Sequence, residues 1–161
     1  MANPYIRIQE NDFDVSAEIA ALRKGDPRVG AVVTFLGTVR DINEGSQIKG
    51  MALEHYPGMT EKALEAILSQ AKERWDIYQT LVIHRIGQLL PEDQIVLVAV
   101  TSAHRGEAFS ACEFIMDYLK TAAPFWKKET GPHGSHWVDA RVSDDQALAK
   151  WGIVSQNAFN N

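Results

Sequence analysis

The stretch QIVLVAVTS, residues 94–102, decides the fold, and AHRGEAF, residues 103–109, follows it directly. A continuous apolar run of this length predicts a buried central strand. Helical spacing then takes over, and a long helix is predicted from about Gly106 to Ala122. Its apolar stripe comprises Ala108, Phe109, Cys112, Ile115, Met116 and Leu119. A buried strand that leads into an amphipathic helix places α and β structure around one core.

Upstream of this unit, apolar and β-branched segments predict four further strands. They are YIRIQ (5–9), VGAVVTFLGTVR (29–40), KGMALEHY (49–56) and YQTLVIHRIG (78–87). The second is apolar enough to be a buried strand, and Gly37 within it indicates a bulge or a close backbone approach. DINEGSQ (41–47) has turn composition, so we expect a mobile loop that joins the second and third strands into a long hairpin.

Two helices are predicted between these strands. The segment DVSAEIAALRKGD (14–26) has Asp14 as its candidate N-cap and Gly25 as its stop signal. A longer helix is expected to be capped by Thr60. The apolar face of this longer helix consists of Leu64, Ile67, Leu68, Ala71 and Trp75.

Downstream of the long helix, Pro124 interrupts the helical pattern. The segments FWKKE and HWVDAR then predict two strands around the turn TGPHGS, and SDDQALAKW (143–151) predicts a short helix. The order of elements is that of an α+β protein with a mixed or mostly antiparallel sheet. At 161 residues, the chain is expected to form a single domain over residues 1–151, with a flexible tail at 152–161.

Composition excludes several functional classes. The chain carries 16 basic and 21 acidic residues, a net charge of −5, so no general affinity for nucleic acid is expected. The one cysteine, Cys112, forms no disulfide within the chain, and no Cys/His set has zinc spacing. Its position on a helix stripe predicts an inert core thiol. The sequence shows no signal peptide and no apolar run long enough to cross a membrane, which favours a cytoplasmic location.

Cationic residues at predicted strand ends are the first candidates for a functional site. His104 and Arg105 lie where the central strand meets the N-terminus of the long helix, a position that suits phosphate. The alternative is that His104 caps the helix and Arg105 points into water. Arg40 ends the 29–40 strand, and it can equally be the first solvated residue after an apolar run.

The segment DYLKTAAPFWKKE, residues 117–129, supplies three candidate lysines. Lys120 follows Leu119 on the helix and lies at the boundary of the core, where it can either line a cleft or extend into water. Lys127 and Lys128 alternate on a predicted strand and must face opposite sides. At most one of these two can share a pocket with Lys120, and the alternation alone leaves the choice open.

Several segments together resemble the MoaE family, the large catalytic subunit of molybdopterin synthase. They are GAVVTFLGTVRD (30–41), LEHYPGMTEKAL (53–64), VIHRIGQLLPED (82–93), VAVTSAHRGEAF (98–109), FIMDYLKTAAPFWKKE (114–129) and WVDAR (137–141). The resemblance runs from about residue 28 to Trp151. It implies an α/β hammerhead-type fold and a homodimeric core, with a ubiquitin-like sulfur-carrier subunit at each end of a heterotetramer.

The resemblance also implies a reaction and a set of site residues. Sulfur passes from the carrier's C-terminal Gly-Gly thiocarboxylate to cyclic pyranopterin monophosphate, which forms the molybdopterin dithiolene. The implied catalytic residues are Lys120 and Lys127, and the implied anion-binding residues are Arg40, His104 and Arg105. Phe35, Met116 and Phe125 are candidate apolar walls of the pocket. No metal and no bound cofactor are expected.

Two other functions are compatible with the same residues. A desolvated Lys120 could form a Schiff base with a carbonyl substrate. A scaffold subunit that only docks a ubiquitin-like partner would not need Lys120 or Lys127, and both are present.

Overall fold

The computed structural model describes residues 5–43, 46–47, 49–121, 125–131, 134–138, 149 and 151–152. The helices in this part of the chain are α1 (Val15–Arg23), α2 (Met59–Arg74) and α3 (Arg105–Thr121). The strands are β1 (Ile6–Gln9), β2 (Ala31–Thr38), β3 (Ile42–Asn43), β4 (Ser46–Gln47), β5 (Gly50–His55), β6 (Thr80–Arg85), β7 (Gly87–Leu89), β8 (Gln94–Ser102), β9 (Phe125–Gly131) and β10 (Gly134–Val138).

These strands form two four-stranded sheets and a small hairpin. The first sheet has the order β1-β6-β8-β2, the second has the order β10-β9-β5-β7, and β3 pairs with β4. Strands β1 and β6 are parallel, whereas β8 is antiparallel to both of its neighbours. The predicted α+β class with mixed and antiparallel pairing is therefore confirmed.

Strand β8 is central, as the sequence predicted. Its residues from Val96 to Ser102 are buried, and helices α2 and α3 contribute apolar faces to the same core as Val98 and Val100. Burial on both faces explains why the strand is apolar without alternation.

Helix α3 departs from its predicted stripe at one position. Phe109 is 60% exposed, whereas Phe114 is fully buried. The ring of Phe114 packs edge-on against Trp75 and Trp151, with centroid distances of 5.2 and 5.7 Å. The stripe is therefore centred nearer to Phe114, because α3 packs on α2 as well as on the sheet.

Strand β2 was predicted to be buried, and this prediction is wrong. It is the edge strand of the first sheet, with Phe35 37% and Leu36 42% exposed. The apolar run thus leaves an open strand edge on the surface. The prediction for Gly37 is confirmed, since the register shifts between Gly37 and Thr38 and an added Cβ would lie 2.7 Å from Val96 Cγ1.

The long hairpin predicted from segments 29–40 and 49–56 does not form. Strand β5 pairs with β7 and β9 in the second sheet, while β2 pairs with β8. Between them, β3 and β4 form a short hairpin at Ile42–Asn43 and Ser46–Gln47, where a mobile loop was expected. Turn composition indicated that the chain reverses direction here. It could not reveal that two residues on each side of the turn pair as strands.

Of the two predicted helix caps, Asp14 is confirmed and Thr60 is wrong. Asp14 accepts a hydrogen bond from the Ala17 backbone N–H at 3.1 Å and caps α1. Thr60 does not cap α2, because it lies inside the first turn, fully buried. Gly58 is the N-cap residue of α2, with φ 84°, and its N–H donates to the Glu61 carboxylate at 2.6 Å.

The predicted helix at 143–151 and most of the tail at 152–161 lie outside the described residues, as does Pro124. The domain extent of 1–151 stays a prediction. Within the part of the chain that is described, no helix has the length and apolarity to span a membrane.

Candidate active site

Helix α3 separates the candidate cations into two groups. Arg105 opens α3, and Lys120 lies in its last turn. Fifteen residue steps at about 1.5 Å place these two backbone positions about 22 Å apart. His104, Arg105 and Lys120 are all exposed.

Strand β2 places Arg40 at the Lys120 end. In the antiparallel pair with β8, Ala31 lies opposite Ser102 and Thr38 lies opposite Gln94. The seven steps along β2 span about 23 Å. Arg40 follows Thr38, whereas His104 follows Ser102, so the two side chains belong to opposite ends of the sheet. The implied anion-binding set of Arg40, His104 and Arg105 is therefore not brought together within one chain.

Strand β9 places the adjacent lysines on opposite faces. Phe125, Lys127 and Glu129 alternate onto one face, opposite His55, Leu53 and Met51 of β5. Lys128 falls on the other face and is exposed. The expectation that Lys127 and Lys128 face opposite sides is thus confirmed by the register.

Lys127 is held by a buried carboxylate. Its Nζ lies 3.2 Å from Glu129 Oε1, and Glu129 is only 4% exposed. The carboxylate fixes the position of the Lys127 side chain on this face of β9. The sequence reasoning missed Glu129, although the i, i+2 spacing in the KKE segment was a usable signal once that segment was predicted to be a strand.

A ring stack connects the two sheets beside Lys120. The imidazole of His84 on β6 lies on the Phe125 ring with a centroid distance of 3.9 Å and an interplanar angle of 17°. His55 on β5 lies on the same ring at 6.4 Å. The His84–Phe125 stack therefore joins β6 of the first sheet to β9 of the second sheet, the strand that carries Lys127.

His84 is uncharged in this setting. The pKa of His84 is lowered to about 4, chiefly by burial and in smaller part by the charges of Lys120 and His55, against a hydrogen bond to the Arg85 carbonyl that raises it. His84 pairs with Val96 near the start of β8, at the end of the sheet toward which the last turn of α3 and Lys120 run. His84, its stacking partner Phe125 and Lys127 on the Phe125 face of β9 therefore lie at the same end of the fold as Lys120.

The predicted pocket walls differ in their surroundings. Phe125 is half-buried within the ring stack, and Met116 is buried in the core beneath the last turns of α3. Phe35 lies on the exposed edge strand, with its ring over Gly37. Of the three, Phe125 stacks on His84 and shares a strand face with Lys127. The roles of all three as pocket walls stay predictions.

Cys112 has no accessible chemistry. Burial raises the pKa of its thiol to about 11, as expected for an inert core cysteine. Among the described residues, no three His, Cys, Asp or Glu side chains converge as metal ligands.

Comparison with known proteins identifies the family. The model of the MoaE protein family matches residues 8–122. The molybdopterin synthase catalytic subunit of Ralstonia nicotianae is 68% identical over 155 residues, which cover 96% of this chain and 88% of the relative. The corresponding subunit of Escherichia coli is 54% identical, with 94% of this chain and all of the relative covered.

A solved structure supports the same conclusion. The molybdopterin biosynthesis MoaE protein of Burkholderia ambifaria superposes with a TM-score of 0.79 at 59% identity, covering 95% of this chain and 99% of that one. The chain belongs to the MoaE family, the family of molybdopterin synthase catalytic subunits.

Proposed function

We propose that this chain transfers sulfur from a carrier thiocarboxylate to cyclic pyranopterin monophosphate in molybdenum cofactor biosynthesis. The observation that carries the proposal is that Lys120, in the last turn of α3, and Lys127, on the Phe125 face of β9, lie at the end of the fold where Phe125 stacks on His84. Relatives at 54–68% identity are named as catalytic subunits of molybdopterin synthase. The reaction takes place in the cytoplasm, and no cofactor is required beyond the carrier's sulfur.

Two cations at this end suit the charges of the reactants. The thiocarboxylate and the cyclic phosphate are both anionic, and their approach is repulsive unless positive charge compensates it. Lys120 polarises the thiocarboxylate and stabilises charge that develops as the carbon–sulfur bond forms. Lys127, whose Nζ lies 3.2 Å from Glu129 Oε1, positions the substrate or transfers a proton.

Schiff-base chemistry is not favoured. An amine nucleophile needs a lowered pKa, which usually comes from desolvation. Lys120 is exposed, and Lys127 is ion-paired to a buried carboxylate. Neither lysine has the deep apolar burial that a Schiff-base lysine usually needs.

The separation of Arg40 from His104 and Arg105 supports a site shared between two copies of the chain. Strand β2 has an open edge with exposed apolar side chains, and such an edge is commonly covered by a partner. If two copies pair antiparallel about a two-fold axis near Phe35, residue 40 of one chain falls opposite residue 30 of the other. Gly30 donates its N–H to the Ser102 carbonyl at 3.0 Å, two residues before His104. Each site then takes Lys120, Lys127 and Arg40 from one copy and His104 and Arg105 from its partner.

The second partner is a small ubiquitin-like carrier. Its extended Gly-Gly tail needs a narrow route to the lysines, and a groove beside a strand provides backbone hydrogen bonds for such a peptide. A carrier at each of the two sites makes the assembly a heterotetramer.

The direct test combines the purified chain with thiocarboxylated carrier and cyclic pyranopterin monophosphate and measures molybdopterin. Lys120→Ala is expected to reduce turnover by about 10²-fold or more, because it removes a charge at the reacting centre. Lys128→Ala on the opposite face of β9 is the matched control and should retain activity. Normal turnover by the Lys120→Ala variant would refute the catalytic assignment.

Subunit complementation tests the shared site. Dimers of Lys120→Ala chains alone or of Arg105→Ala chains alone are expected to be inactive. A mixed dimer contains one site that keeps both Lys120 and Arg105 and one site that lacks both. Random re-association should restore about a quarter of wild-type activity, since half of the dimers are mixed and each has one intact site. No recovery after proven subunit exchange would place both residues in sites within single chains.

A further inference from the structure

Glu107 is an acidic side chain in the first turn of α3, and the proposed reaction gives it no role. A glutamate at the third position of a helix often reaches back to the N-cap of its own helix. Glu107 instead accepts a hydrogen bond from the Asp76 backbone N–H, which lies 31 residues earlier in the chain, with 3.0 Å between Oε2 and the nitrogen. The contact ties the start of α3 to the loop between α2 and β6.

A second contact binds the same residue of that loop. The Ser102 hydroxyl donates to the Asp76 carbonyl oxygen at 2.8 Å, and Ser102 is only 1% exposed. Both backbone polar groups of Asp76 are thus bonded to the junction between β8 and α3, the N–H to Glu107 and the carbonyl to Ser102. His104 and Arg105 lie between these two contacts in the sequence. The two contacts, which we call the Asp76 clamp, therefore bracket the proposed anion-binding pair.

The loop side of the Asp76 clamp is itself fixed to the core. Trp75 packs edge-on against Phe114 with a centroid distance of 5.2 Å. On the other side of Asp76, Ile77 packs against the same apolar core. Because both neighbours of Asp76 are held by packing, its backbone N–H is a fixed point of attachment for the Glu107 carboxylate.

The two cations between the contacts have little packing of their own. His104 and Arg105 are both exposed, so the direction of their side chains depends on the backbone that carries them. Ser102 holds this backbone on the strand side, and Glu107 holds it on the helix side. A displacement of about 1 Å in a group that binds substrate is enough to weaken its action strongly.

We propose that Glu107 is a positioning residue for the anion-binding pair: its carboxylate holds the first turn of α3 on Asp76, so that His104 and Arg105 face the phosphate of the pyranopterin. This inference rests on the proposed function, which supplies the phosphate ligand. The opposite effect has an equally clear physical basis, because a carboxylate two residues from Arg105 would repel a phosphate if it acted only through its charge.

Two substitutions separate the reach of the side chain from its charge. Glu107→Asp keeps the negative charge but is one methylene shorter, so it should lose the contact with the Asp76 N–H. Glu107→Gln removes the charge but keeps an oxygen that accepts a hydrogen bond at the same reach. Glu73→Gln, which changes an exposed carboxylate on α2, is the matched control.

The first measurement is calorimetric binding of cyclic pyranopterin monophosphate to the full-length chain without carrier. The Kd should rise about tenfold in Glu107→Asp and stay close to the wild-type value in Glu107→Gln and Glu73→Gln. Tighter binding by Glu107→Gln, together with an unchanged Kd in Glu107→Asp, would show that the carboxylate acts by repulsion and would overturn the proposal.

Turnover with thiocarboxylated carrier separates positioning of the binding pair from a general loss of structure. Glu107→Asp should raise KM for the pyranopterin about tenfold with kcat nearly unchanged, because it weakens binding of substrate and transition state alike. Rescue of KM in Glu107→Gln is the second expected result. A fall in kcat without a change in KM would contradict the assignment.

Amide exchange tests the Asp76 clamp without any substrate. In deuterated water, NMR should show that the Asp76 N–H exchanges about tenfold faster in Glu107→Asp than in the wild type or Glu107→Gln. Equally slow exchange in Glu107→Asp would refute the clamp even if sulfur transfer is confirmed. If the wild type does not bind the pyranopterin, the proposed function and this inference fail together. If the wild type and Glu107→Asp bind it equally well, only this inference fails.

Discussion

His84 should make the stability of the fold dependent on pH in a defined window. The pKa of this imidazole falls from 6.5 to about 4 because the ring is buried. Between these two values the unfolded chain binds a proton at His84 and the folded chain does not. Stability is therefore present in full above about pH 6.5 and is lost as the pH falls toward 4.

The size of this effect follows from the shift. The lowering of the pKa from 6.5 to about 4 corresponds to about 3 kcal/mol. This is an upper value, because the ring can gain some hydration as it becomes charged. A loss of about 2–3 kcal/mol is a large part of the stability of a domain of this size.

Urea unfolding at a series of pH values from 7.5 to 4 tests this reasoning. His84→Phe removes the titrating group and keeps the ring, so its free energy of unfolding should fall by about 2–3 kcal/mol less than that of the wild type over this range. Thr80→Val leaves His84 in place and should parallel the wild type. Parallel curves for wild type and His84→Phe would show that burial does not hold His84 neutral.

Three further predictions concern other parts of the structure. The Lys127–Glu129 pair should show a coupling energy of about 1–2 kcal/mol in a double-mutant cycle of Lys127→Met and Glu129→Gln measured by urea unfolding, and strictly additive effects would contradict a stabilising pair. Gly37→Ala should cost about 1–3 kcal/mol because its Cβ would lie 2.7 Å from Val96, and a variant with unchanged melting temperature would contradict the close approach. Leu36→Glu places a charge on the open edge of β2, so sedimentation should show a weakened dimer, and an unaltered dimer would place the interface elsewhere.

The sequence allowed the central part of the fold to be predicted because local signals and tertiary packing agree there. The apolar run of β8 and the helical spacing of α3 each determine their own structure. The pairing of β5 was different. Its neighbours β7 and β9 come later in the chain, and nothing in segments 29–40 and 49–56 distinguishes a hairpin between them from two strands in separate sheets. Strand partners chosen by long-range packing are not encoded in local pattern.

The prediction that β2 is buried was wrong for a related reason. Apolar residues bury themselves against a partner, but the pattern does not say whether that partner is the same chain or another. In this chain the exposed Phe35 and Leu36 have the composition of a core strand. The same ambiguity hid the distance between Arg40 and His104, which flank one antiparallel pair of strands at its opposite ends.

The two lysines illustrate what each level of information contributed to the site. Helix phase placed Lys120 at the edge of the core, and strand alternation limited the adjacent pair to one participant. The register of β9 with β5 then put Lys127 on the face of Phe125. The buried partners on that face came only from the structure: Glu129 beside Lys127 and His84 beneath Phe125. Both are polar side chains in strands whose local sequence looks ordinary, and burial alone makes them informative. Glu129 holds Lys127 by an ion pair, whereas Lys120 lies in the exposed last turn of α3, so two chemically identical side chains acquire different surroundings. That difference is the physical basis for assigning them separate roles in the same reaction.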